Sequence, residues 1–360
     1  MKTIILNDNS SKSLYGFRSN VIKLAVSLGH RVVCVCPNDG RINDIEKMGA
    51  VVEVVNLQRK GSSILNDYKL YKNYVQIFKK YSADLVLNYS IKPNIYGQMA
   101  CMKLGIKSMC MLTGAGYAFM NNSPTAVIAR ILYRLTLHKA TQVWFLNADD
   151  KNDFIRKNYV SSQKAKLIYG EGVDIETFKP VFQNHSPVIF AYVGRMLSDK
   201  GVYEFVEAVS QIPNAKGVLV GGVDNGNPSA IAQETIDTWV REKAVEYWGI
   251  QHDMAKVYSE ISCLVMPSYR EGLNMSVMEA MASSLPVIVS NVRGCKDLVN
   301  DGENGYICKV KDNERLKEKM EKMLQNNMKE MGKKGRERVE KKYQVSHTNL
   351  KYMKLFEEVL

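Results

Sequence analysis

The chain has 360 residues, of which 46% are hydrophobic and 24% are charged, and these proportions exclude a largely disordered protein. No apolar run approaches the ~20 residues that a membrane-spanning helix needs, and the opening MKTIILND lacks the pattern of a signal peptide. The seven cysteines follow neither metal-binding nor disulfide spacing, so we expect a reducing, cytoplasmic environment.

The positive charge is unevenly distributed along the chain. The net charge is +12, and residues 1–180 carry 25 Lys and Arg against 13 Asp and Glu, whereas residues 181–360 carry 24 of each. A basic half of this kind suits nucleic acid, an anionic membrane or a phosphorylated substrate as a partner. A generally basic protein without such a partner is the alternative.

Short apolar runs alternate with amphipathic stretches through the first half. The amphipathic stretches at 17–29 and 68–81 have the spacing of helices. This alternation predicts an α/β domain with a mostly parallel sheet. The predicted strands are TIIL (3–6), RVVCVC (31–36), VVEVV (51–55), DLVLNY (84–89), SMCML (108–112), QVWFL (142–146) and KLIY (166–169).

A second series of strands begins near residue 187, after a polar, proline-containing stretch at 172–187 that suits a linker. We therefore predict two doubly wound domains, residues 1–180 and residues 187–340. Two such domains facing each other form a cleft along the carboxyl ends of both sheets, where ligands bind in open α/β folds. The predicted strands are VIFAYVG (188–194), GVLVGG (217–222), AVEYWG (244–249), CLVMP (263–267) and PVIVS (286–290).

The segment PSYREGLNMSVMEAMA (267–282) places a carboxylate on each side of a loop that becomes a helix near Asn274. The free amides of a helix start bind anions, most naturally a diphosphate, and Gly272 lets the backbone approach closely. Glu279, one turn into the helix, can then accept from ribose hydroxyls, while Glu271 lies nearer the reacting end. Two solvated surface glutamates are the alternative.

A second motif, GRMLSDKG (194–201), follows the first strand of the second domain. It offers Arg195 and Lys200 at the carboxyl end of that strand, where two cations would counter the charge of a departing diphosphate. Cations in a loop are usually solvated, but here they share a domain with the glutamate-bearing helix.

Together, G-R-x(4)-K-G, the two glutamates of 267–282, and PVIVSNVRGCKDLVNDGENGYIC resemble glycosyltransferase family 4 over essentially the whole chain. The resemblance implies the GT-B fold, a last helix (341–360) that crosses back to the first domain, and retaining transfer from a nucleotide sugar without a metal ion. The absence of a D-x-D triplet agrees with the last point.

The resemblance also implies roles for single residues. Arg195, Lys200 and Glu271 would be catalytic: the two cations hold the donor diphosphate, and Glu271 touches the donor sugar. Glu279 would bind the ribose, and the loop at WGI (248–250) would contact the base through backbone atoms. The implied donor-binding set in the second domain is Gly194, Arg195, Lys200, Ile250, Glu271, Gly272, Leu273, Asn274, Met275 and Glu279.

Four further stretches resemble bacterial enzymes that extend a sugar on undecaprenyl diphosphate, including the N-acetylgalactosaminyltransferases of glycan and O-antigen assembly. These stretches are NYSIKPNIYGQMA, LTGAGYAF, GGVDNGNPSAI and YWGIQHDMAKVY. The implied donor is a UDP-sugar, and the implied acceptor is a lipid-linked saccharide at the cytoplasmic membrane face, as in lipopolysaccharide biosynthesis. The basic half would attract the anionic membrane surface and the acceptor diphosphate.

The first domain departs from the family pattern in two places. The first loop, NDNSSKSLYGFR, has only Gly16 where many members carry a glycine pair, and Thr113 stands near the position of a histidine. Backbone groups of Thr113 and Gly114 are the expected substitutes on the donor side. Arg18 and Lys92 are the candidates for the acceptor side, with ordinary surface positions as the alternative.

The stretch 124–140, PTAVIARILYRLTLHKA, is amphipathic, with Val127, Ile131 and Leu135 on one side at helical spacing. One interpretation is a helix that packs this side on the sheet, and the other is a helix that lies on the membrane surface.

The sequence therefore predicts a retaining, metal-independent glycosyltransferase. A nucleotide-sugar epimerase of the same fold is the alternative, although G-R-x(4)-K-G argues against it. A nucleic-acid binder is disfavoured because the sequence lacks a recognisable nucleic-acid module.

Overall fold

The structure, a computed structural model, describes residues 1–57, 63–114, 123–181 and 185–360. The chain divides into two units, one made of Met1–Glu171 with Ser346–Leu360 and the other of Gly172–Val345. Each unit has its own parallel sheet with helices packed against it.

The first unit contains a seven-stranded sheet in the order β3-β2-β1-β4-β5-β6-β7, and every neighbouring pair is parallel. The strands read as continuous hydrophobic runs because helices cover the sheet. The order reverses between β1 and β4, so the carboxyl ends of these two strands flank the point where such sheets bind ligands. The strands are β1 (Thr3–Asn7), β2 (Arg31–Cys36), β3 (Val51–Val54), β4 (Leu85–Tyr89), β5 (Lys107–Leu112), β6 (Gln142–Phe145) and β7 (Ala165–Leu167).

Four helices of the first unit, α1, α3, α5 and α6, begin at polar capping residues. Ser10, Ser63, Ser123 and Asn147 each accept a hydrogen bond from an amide in the first turn of the following helix. A π-helical turn at Pro93–Gly97 leads into the fourth helix. The helices are α1 (Ser11–Ser27), α2 (Ile42–Glu46), α3 (Ile64–Lys80), α4 (Gln98–Leu104), α5 (Pro124–Leu137) and α6 (Ala148–Arg156).

The second unit contains a six-stranded parallel sheet in the order β10-β9-β8-β11-β12-β13. Five of its strands match predicted runs to within a few residues. The sixth, β13, is the short run GYIC, which was not predicted because it has only four residues and starts with glycine. The strands are β8 (Val188–Val193), β9 (Ala215–Val220), β10 (Glu246–Gly249), β11 (Cys263–Met266), β12 (Val287–Ser290) and β13 (Gly305–Cys308).

The helices of the second unit follow a short 3₁₀ turn at Ser198–Lys200. They are α7 (Val202–Ser210), α8 (Gln233–Arg241), α9 (Met254–Ser259), α10 (Met275–Ala282), α11 (Asn313–Leu324) and α12 (Met328–Lys342). The last helix, α13 (Val345–Val359), packs in the first unit: its Tyr352 ring lies 4.9 Å from the Trp144 ring, and Lys107 donates to the Val359 carbonyl at 2.6 Å.

The division between the units falls after Glu171, earlier than the predicted domain end at 180. The predicted linker is instead attached to the second unit, because the Arg336 guanidinium donates to the carbonyls of Phe178 and Ile175 at 2.6 and 3.3 Å. The two passages of the chain between units are also paired, since the Val173 amide donates to Tyr343 O and the Val345 amide donates to Val173 O.

A buried charge cluster lies in the first unit. The Arg18 guanidinium donates to Glu171 at 2.7 Å and lies 4.3 Å from the Tyr89 ring centroid, and the side chains of Arg18 and Glu171 are 5% and 6% exposed. The Tyr352 hydroxyl donates to the same carboxylate at 3.2 Å. Helix α13 is thereby joined to the residue at which the chain leaves the unit.

We expect Arg18→Met or Glu171→Gln to lower the free energy of unfolding of the first unit by about 3–5 kcal/mol, because each leaves a buried partner unpaired. The double variant Arg18→Met with Glu171→Leu should lose less free energy of unfolding than the sum of the losses from the single changes. Urea unfolding, followed by Trp144 fluorescence in a chain carrying Trp239→Phe and Trp248→Phe, measures this.

The exposed pair Arg156–Asp153 supplies the control, since Arg156→Met should change stability little. Single variants at Arg18 and Glu171 that unfold like the parent chain would contradict a structural role for the cluster.

Candidate active site

The start of α10 follows the carboxyl end of β11 after the loop 267–274. Asn274 caps the helix, because its side chain accepts from the Val277 amide at 3.0 Å. An α-helix supplies no internal partner for its first amides, so this start presents N–H groups to an anion. The predicted helix start near Asn274 is confirmed.

A glycine on the neighbouring loop holds this start in place. Gly294 has φ +75°, and a Cβ there would meet the Gly272 carbonyl at 2.4 Å. The Gly294 carbonyl accepts from the Asn274 amide at 3.2 Å. Only glycine fits this approach of two backbones, so Gly294 is a site residue that the sequence analysis did not single out.

Lys200 and Glu271 form an ion pair beside the helix start. The ammonium lies 2.7 Å from Oε1, and the two side chains are 19% and 14% exposed. Asn274 donates to the same oxygen at 3.1 Å. The structure thus brings together the lysine of one predicted motif and the first glutamate of the other.

Arg195 follows β8 and Gly194, and its guanidinium donates to Asp224 at 2.7 Å. The Arg195 side chain is 61% exposed, so the pair leaves much of the guanidinium open to a ligand. Asn227 also donates to the Asp224 carboxylate, at 3.0 Å. Asp224 was missed as a site residue, although its place in the glycine-rich turn GGVDNGN after a strand was a usable signal.

Glu279 lies one turn into α10, as predicted, and is partly buried. Burial raises the pKa of its carboxyl to about 7, although a hydrogen bond from Tyr258 opposes the shift. The Tyr258 hydroxyl lies 2.9 Å from Oε2. Among the residues that the structure describes, Tyr258 is the hydrogen-bond donor to this carboxyl and it contacts Oε2, so Oε1 remains for a ligand.

Ile250 lies after β10 with a side chain that is 69% exposed. A Cβ on Gly222 would meet its Cδ1 at 2.8 Å, so Gly222 leaves room for the isoleucine. A depression of about 390 Å³ lies along the same loop and is lined by Trp248, Gln251, Asp253, Lys256, Val257 and Glu260.

Gly16 is not a loop residue. It lies inside α1, which begins at Ser11, and its neighbourhood is open. The loop after β1 is short because α1 already begins at Ser11. The Asp39 carboxylate lies at this helix start, where it accepts from the amides of Ser11 and Lys12 at 2.7 and 3.2 Å and from the Ser10 hydroxyl. Partial burial raises the pKa of Asp39, but these hydrogen bonds outweigh it and the net pKa is lowered.

Thr113 and Gly114 follow β5, with Thr113 exposed and Gly114 at φ +141°. The rest of the motif LTGAGYAF lies outside the described residues, so the proposed role of these two residues on the donor side stays a prediction.

The acceptor candidates are both paired within the first unit. The alternative of an ordinary surface position is wrong for Arg18, which is buried against Glu171. Lys92 donates to Asp67 at 2.8 Å, and Tyr96 donates to the other oxygen of that carboxylate at 3.0 Å. The Lys92 side chain is 17% exposed, so a ligand can reach it more readily than Arg18.

Helix α5 confirms the predicted amphipathic segment, but the prediction that Val127, Ile131 and Leu135 pack on the sheet is wrong. These three side chains are 40–61% exposed, whereas Ala126, Tyr133 and Leu137 are buried.

Two negative findings concern the described part of the chain. Its residues include no group of three or more His, Cys, Asp or Glu side chains placed to hold a metal ion. None of its helices is long and apolar enough to cross a bilayer.

We expect the free energy of unfolding of the second unit to fall between pH 5 and pH 8, because the folded state holds a proton on Glu279 that the unfolded chain releases at lower pH. Glu279→Gln removes this contribution. The stability of the variant relative to the parent should therefore rise from pH 5 to pH 8 by roughly 1–3 kcal/mol.

Urea unfolding at each pH, followed by Trp239 and Trp248 fluorescence in a chain carrying Trp144→Phe, gives this difference. Tyr258→Phe serves as the matched variant, because losing a hydrogen bond that lowers the Glu279 pKa should steepen the pH dependence. Identical pH profiles for the parent and Glu279→Gln would disprove the shift.

Among solved structures, the chain is similar to the Anabaena protein HepE in complex with UDP-glucose, with a TM-score of 0.83, 18% identity and coverage of 99% of this chain and 100% of that one. It is also similar to sucrose-phosphate synthase from Thermosynechococcus elongatus, with a TM-score of 0.83, 20% identity and 99% of both chains covered. These similarities concern the fold, and the predicted GT-B fold is confirmed.

Two curated relatives each share 26% identity with the chain. One is the N,N'-diacetylbacillosaminyl-diphospho-undecaprenol alpha-1,3-N-acetylgalactosaminyltransferase of Campylobacter jejuni, over 88% of both chains. The other is the UDP-Gal:alpha-D-GlcNAc-diphosphoundecaprenol alpha-1,3-galactosyltransferase of Escherichia coli, over 77% of this chain and 76% of the relative.

Two family models match the chain, one in each half. Residues 6–147 match "Glycosyl transferase 4-like", and residues 174–341 match "Glycosyl transferases group 1". The chain therefore belongs to the glycosyltransferases, with a first half of the 4-like type and a second half of the group 1 type.

Proposed function

We propose that this glycosyltransferase moves a hexose or N-acetylhexosamine from a UDP-sugar to a saccharide carried on polyprenyl diphosphate, in the assembly of a bacterial surface polysaccharide. The transfer retains the anomeric configuration and needs no metal ion. The observation that carries the donor half of this proposal is the Lys200–Glu271–Asn274 cluster at the open start of α10.

The diphosphate of the donor would lie at this helix start. The Asn274 amide is already bonded to the Gly294 carbonyl, so the amides of Leu273 and Met275 would hold the phosphates, and Lys200 and Arg195 offer positive charge from the other motif. Charge builds up on the departing UDP as the sugar leaves. Groups already aimed at that charge lower the barrier, which is the part that a metal ion plays in other transferases.

The two glutamates would order the neutral parts of the donor. Burial raises the pKa of Glu279 to about 7, which reduces its repulsion with the neighbouring phosphates near neutral pH, while one oxygen would accept a hydrogen bond from the ribose. Glu271 is paired with Lys200 and can accept from hydroxyls of the transferred sugar.

The acceptor is inferred from the names of the relatives, both of which refer to undecaprenyl diphosphate-linked sugars. Lys92 is the better supported acceptor-binding residue, because its ammonium is partly exposed. Arg18 would act at most through Glu171 and α13, since its guanidinium is buried. An acceptor of this kind would place the enzyme at the cytoplasmic face of the membrane, and the seven cysteines are all free and buried, as suits a reducing compartment.

The epimerase alternative gains no support from the relatives named above, which are both transferases. A panel of UDP- and GDP-sugars, tested with and without synthetic polyprenyl diphosphate-linked monosaccharides, separates the two activities. We expect conversion only with acceptor, an NMR coupling constant that shows retention, and no loss of rate in EDTA. Conversion of the sugar nucleotide alone would overturn the proposal.

We expect Lys200→Met to lower kcat by a factor on the order of 10²–10³, because the diphosphate loses a positioned cation. Glu279→Ala should lose nearly all transfer activity, because it removes the carboxyl group that would contact the ribose. Steady-state rates with the best donor of the panel measure both, and circular dichroism shows whether the variants stay folded.

The exposed Lys216 in the same unit supplies the control: Lys216→Met removes an exposed ion pair with Glu246 and should leave the rate unchanged. Parent-like turnover in both Lys200→Met and Glu279→Ala would remove the assignment of the donor site.

We expect Asp224→Asn to raise the KM for the donor up to about fivefold while kcat changes less, because an exposed ion pair positions Arg195 with a modest free energy. Asn keeps the size of the side chain and one acceptor oxygen. A fall in kcat at unchanged KM would contradict this positioning role.

A further inference from the structure

The loop after β11 contacts the turn after β8 at successive residues. The Tyr269 amide donates to the Asp199 carbonyl at 3.0 Å. The Lys200 ammonium donates to Glu271 Oε1 at 2.7 Å and to the Arg270 carbonyl at 3.4 Å. The backbone of one loop thus determines where the cation of the other lies.

The Lys200 ammonium has three N–H donors. Among the described residues, Glu271 and the Arg270 carbonyl are the acceptors that it meets, so the third N–H remains for a phosphate oxygen. Because the two acceptors come from consecutive residues, the direction of the third N–H depends on how firmly this part of the loop is held.

Glu204 is a buried carboxyl on the apolar side of α7. The Tyr269 hydroxyl donates to its Oε1, and Oε2 is buried without a hydrogen-bond partner among the residues that the structure describes. Burying a carboxyl that has a single hydrogen bond lowers stability, so packing alone does not account for Glu204. The other buried residues of the helix are Val202, Phe205, Val206, Ala208 and Val209.

Helix α7 is itself in contact with the loop after β11. Gly201, which precedes the helix, has φ +75°, and a Cβ there would meet the Pro267 carbonyl at 2.2 Å. Glu204 follows in the first turn of the helix. The hydrogen bond from Tyr269 to Glu204 therefore joins the loop to an element that already packs closely against it.

Tyr269 is held through both its backbone and its side chain. Its amide binds Asp199, its hydroxyl binds Glu204, and the Lys311 ammonium lies 4.8 Å from its ring. Burial and the neighbouring Glu204 carboxyl raise the pKa of Tyr269, so the hydroxyl keeps its proton and donates at neutral pH. The next residue is Arg270, whose carbonyl faces Lys200.

We propose that Tyr269 and Glu204 are positioning residues for the donor diphosphate. Their hydrogen bond fixes the Arg270 carbonyl and the Glu271 carboxyl, and these two acceptors aim the third N–H of Lys200 at a phosphate oxygen. The inference rests on the donor site of the proposed function and adds two residues that act through Lys200.

The test measures UDP binding by calorimetry in the parent protein, Tyr269→Phe and Glu204→Leu. We expect the Kd for UDP to rise about three- to tenfold in both variants, because a charge-assisted hydrogen bond is misdirected rather than removed. In a chain that already carries Lys200→Met, Tyr269→Phe should change the Kd by less than about twofold. A residue that only stabilises the fold would have the same effect with and without Lys200.

Two further variants serve as controls. Glu204→Gln keeps an oxygen that accepts from Tyr269, so it should regain most of the affinity that Glu204→Leu loses. Tyr306→Phe removes another buried hydroxyl of the same unit, one that accepts from Asn326 at 2.8 Å, and should bind UDP like the parent. Glu204→Leu matches its apolar neighbours on α7, so it breaks the hydrogen bond in a chain that stays folded, which circular dichroism verifies.

Turnover gives a separate arm. With the best donor of the panel, Tyr269→Phe should lower kcat about tenfold, since a small displacement of a catalytic cation is costly. The same change should lower kcat no further in the Lys200→Met chain.

Parent-like UDP affinity in both Tyr269→Phe and Glu204→Leu overturns the positioning role, and so does a loss that persists in full in the Lys200→Met chain. UDP binding that follows the expected pattern, without sugar transfer to any acceptor, leaves the positioning role standing and removes the proposed transfer. A parent that binds no UDP removes the proposed donor and the positioning role together.

Discussion

The ion pair between Lys200 and Glu271 is the interaction on which the candidate site depends. It joins the turn after β8 to the loop after β11, and Asn274 extends it to the first residue of α10. Both side chains are mostly buried, and an unpaired charge in a buried position would be costly. The pair therefore fixes the loop geometry before any ligand arrives, and a bound diphosphate needs only to join charges that are already ordered.

The two units differ in what lies at the helix start next to the carboxyl edge of the sheet. Each has a helix start at the carboxyl edge of a parallel sheet, where the peptide dipoles favour negative charge. In the first unit Asp39 fills the start of α1 with the protein's own carboxylate. In the second unit Asn274 caps α10, and the carboxylate nearest to this start, Glu271, is paired with Lys200. The donor diphosphate is accordingly expected at α10 rather than at the start of α1, where the Asp39 carboxylate already lies.

Much of the fold was predictable from the sequence, because parallel strands covered on both faces form apolar runs that stand out from the intervening helices. The donor residues were predictable because two short motifs carry them. Their partners were not predictable. Asp224 accepts from Arg195, and Tyr258 donates to Glu279, from elements that are distant in sequence, and no local pattern indicates such a pairing. Gly16 was misjudged because α1 begins at Ser11, five residues before it, and the carboxylate at that helix start, Asp39, comes from another strand connection. The burial of Arg18 and the exposure of Val127, Ile131 and Leu135 on α5 likewise depend on which side of a helix meets its neighbours.

The first unit is discontinuous in sequence, and this has a consequence for its biogenesis. Its last helix, α13, inserts Tyr352, Leu355, Phe356 and Val359 into contacts with elements made far earlier, including Trp144 and Tyr89. The second unit has all its strands before α13 is synthesised. During translation the first unit therefore cannot complete its fold until the C-terminal half has left the ribosome, and part of its apolar surface stays uncovered until then. The half that is made first is the half that finishes folding last.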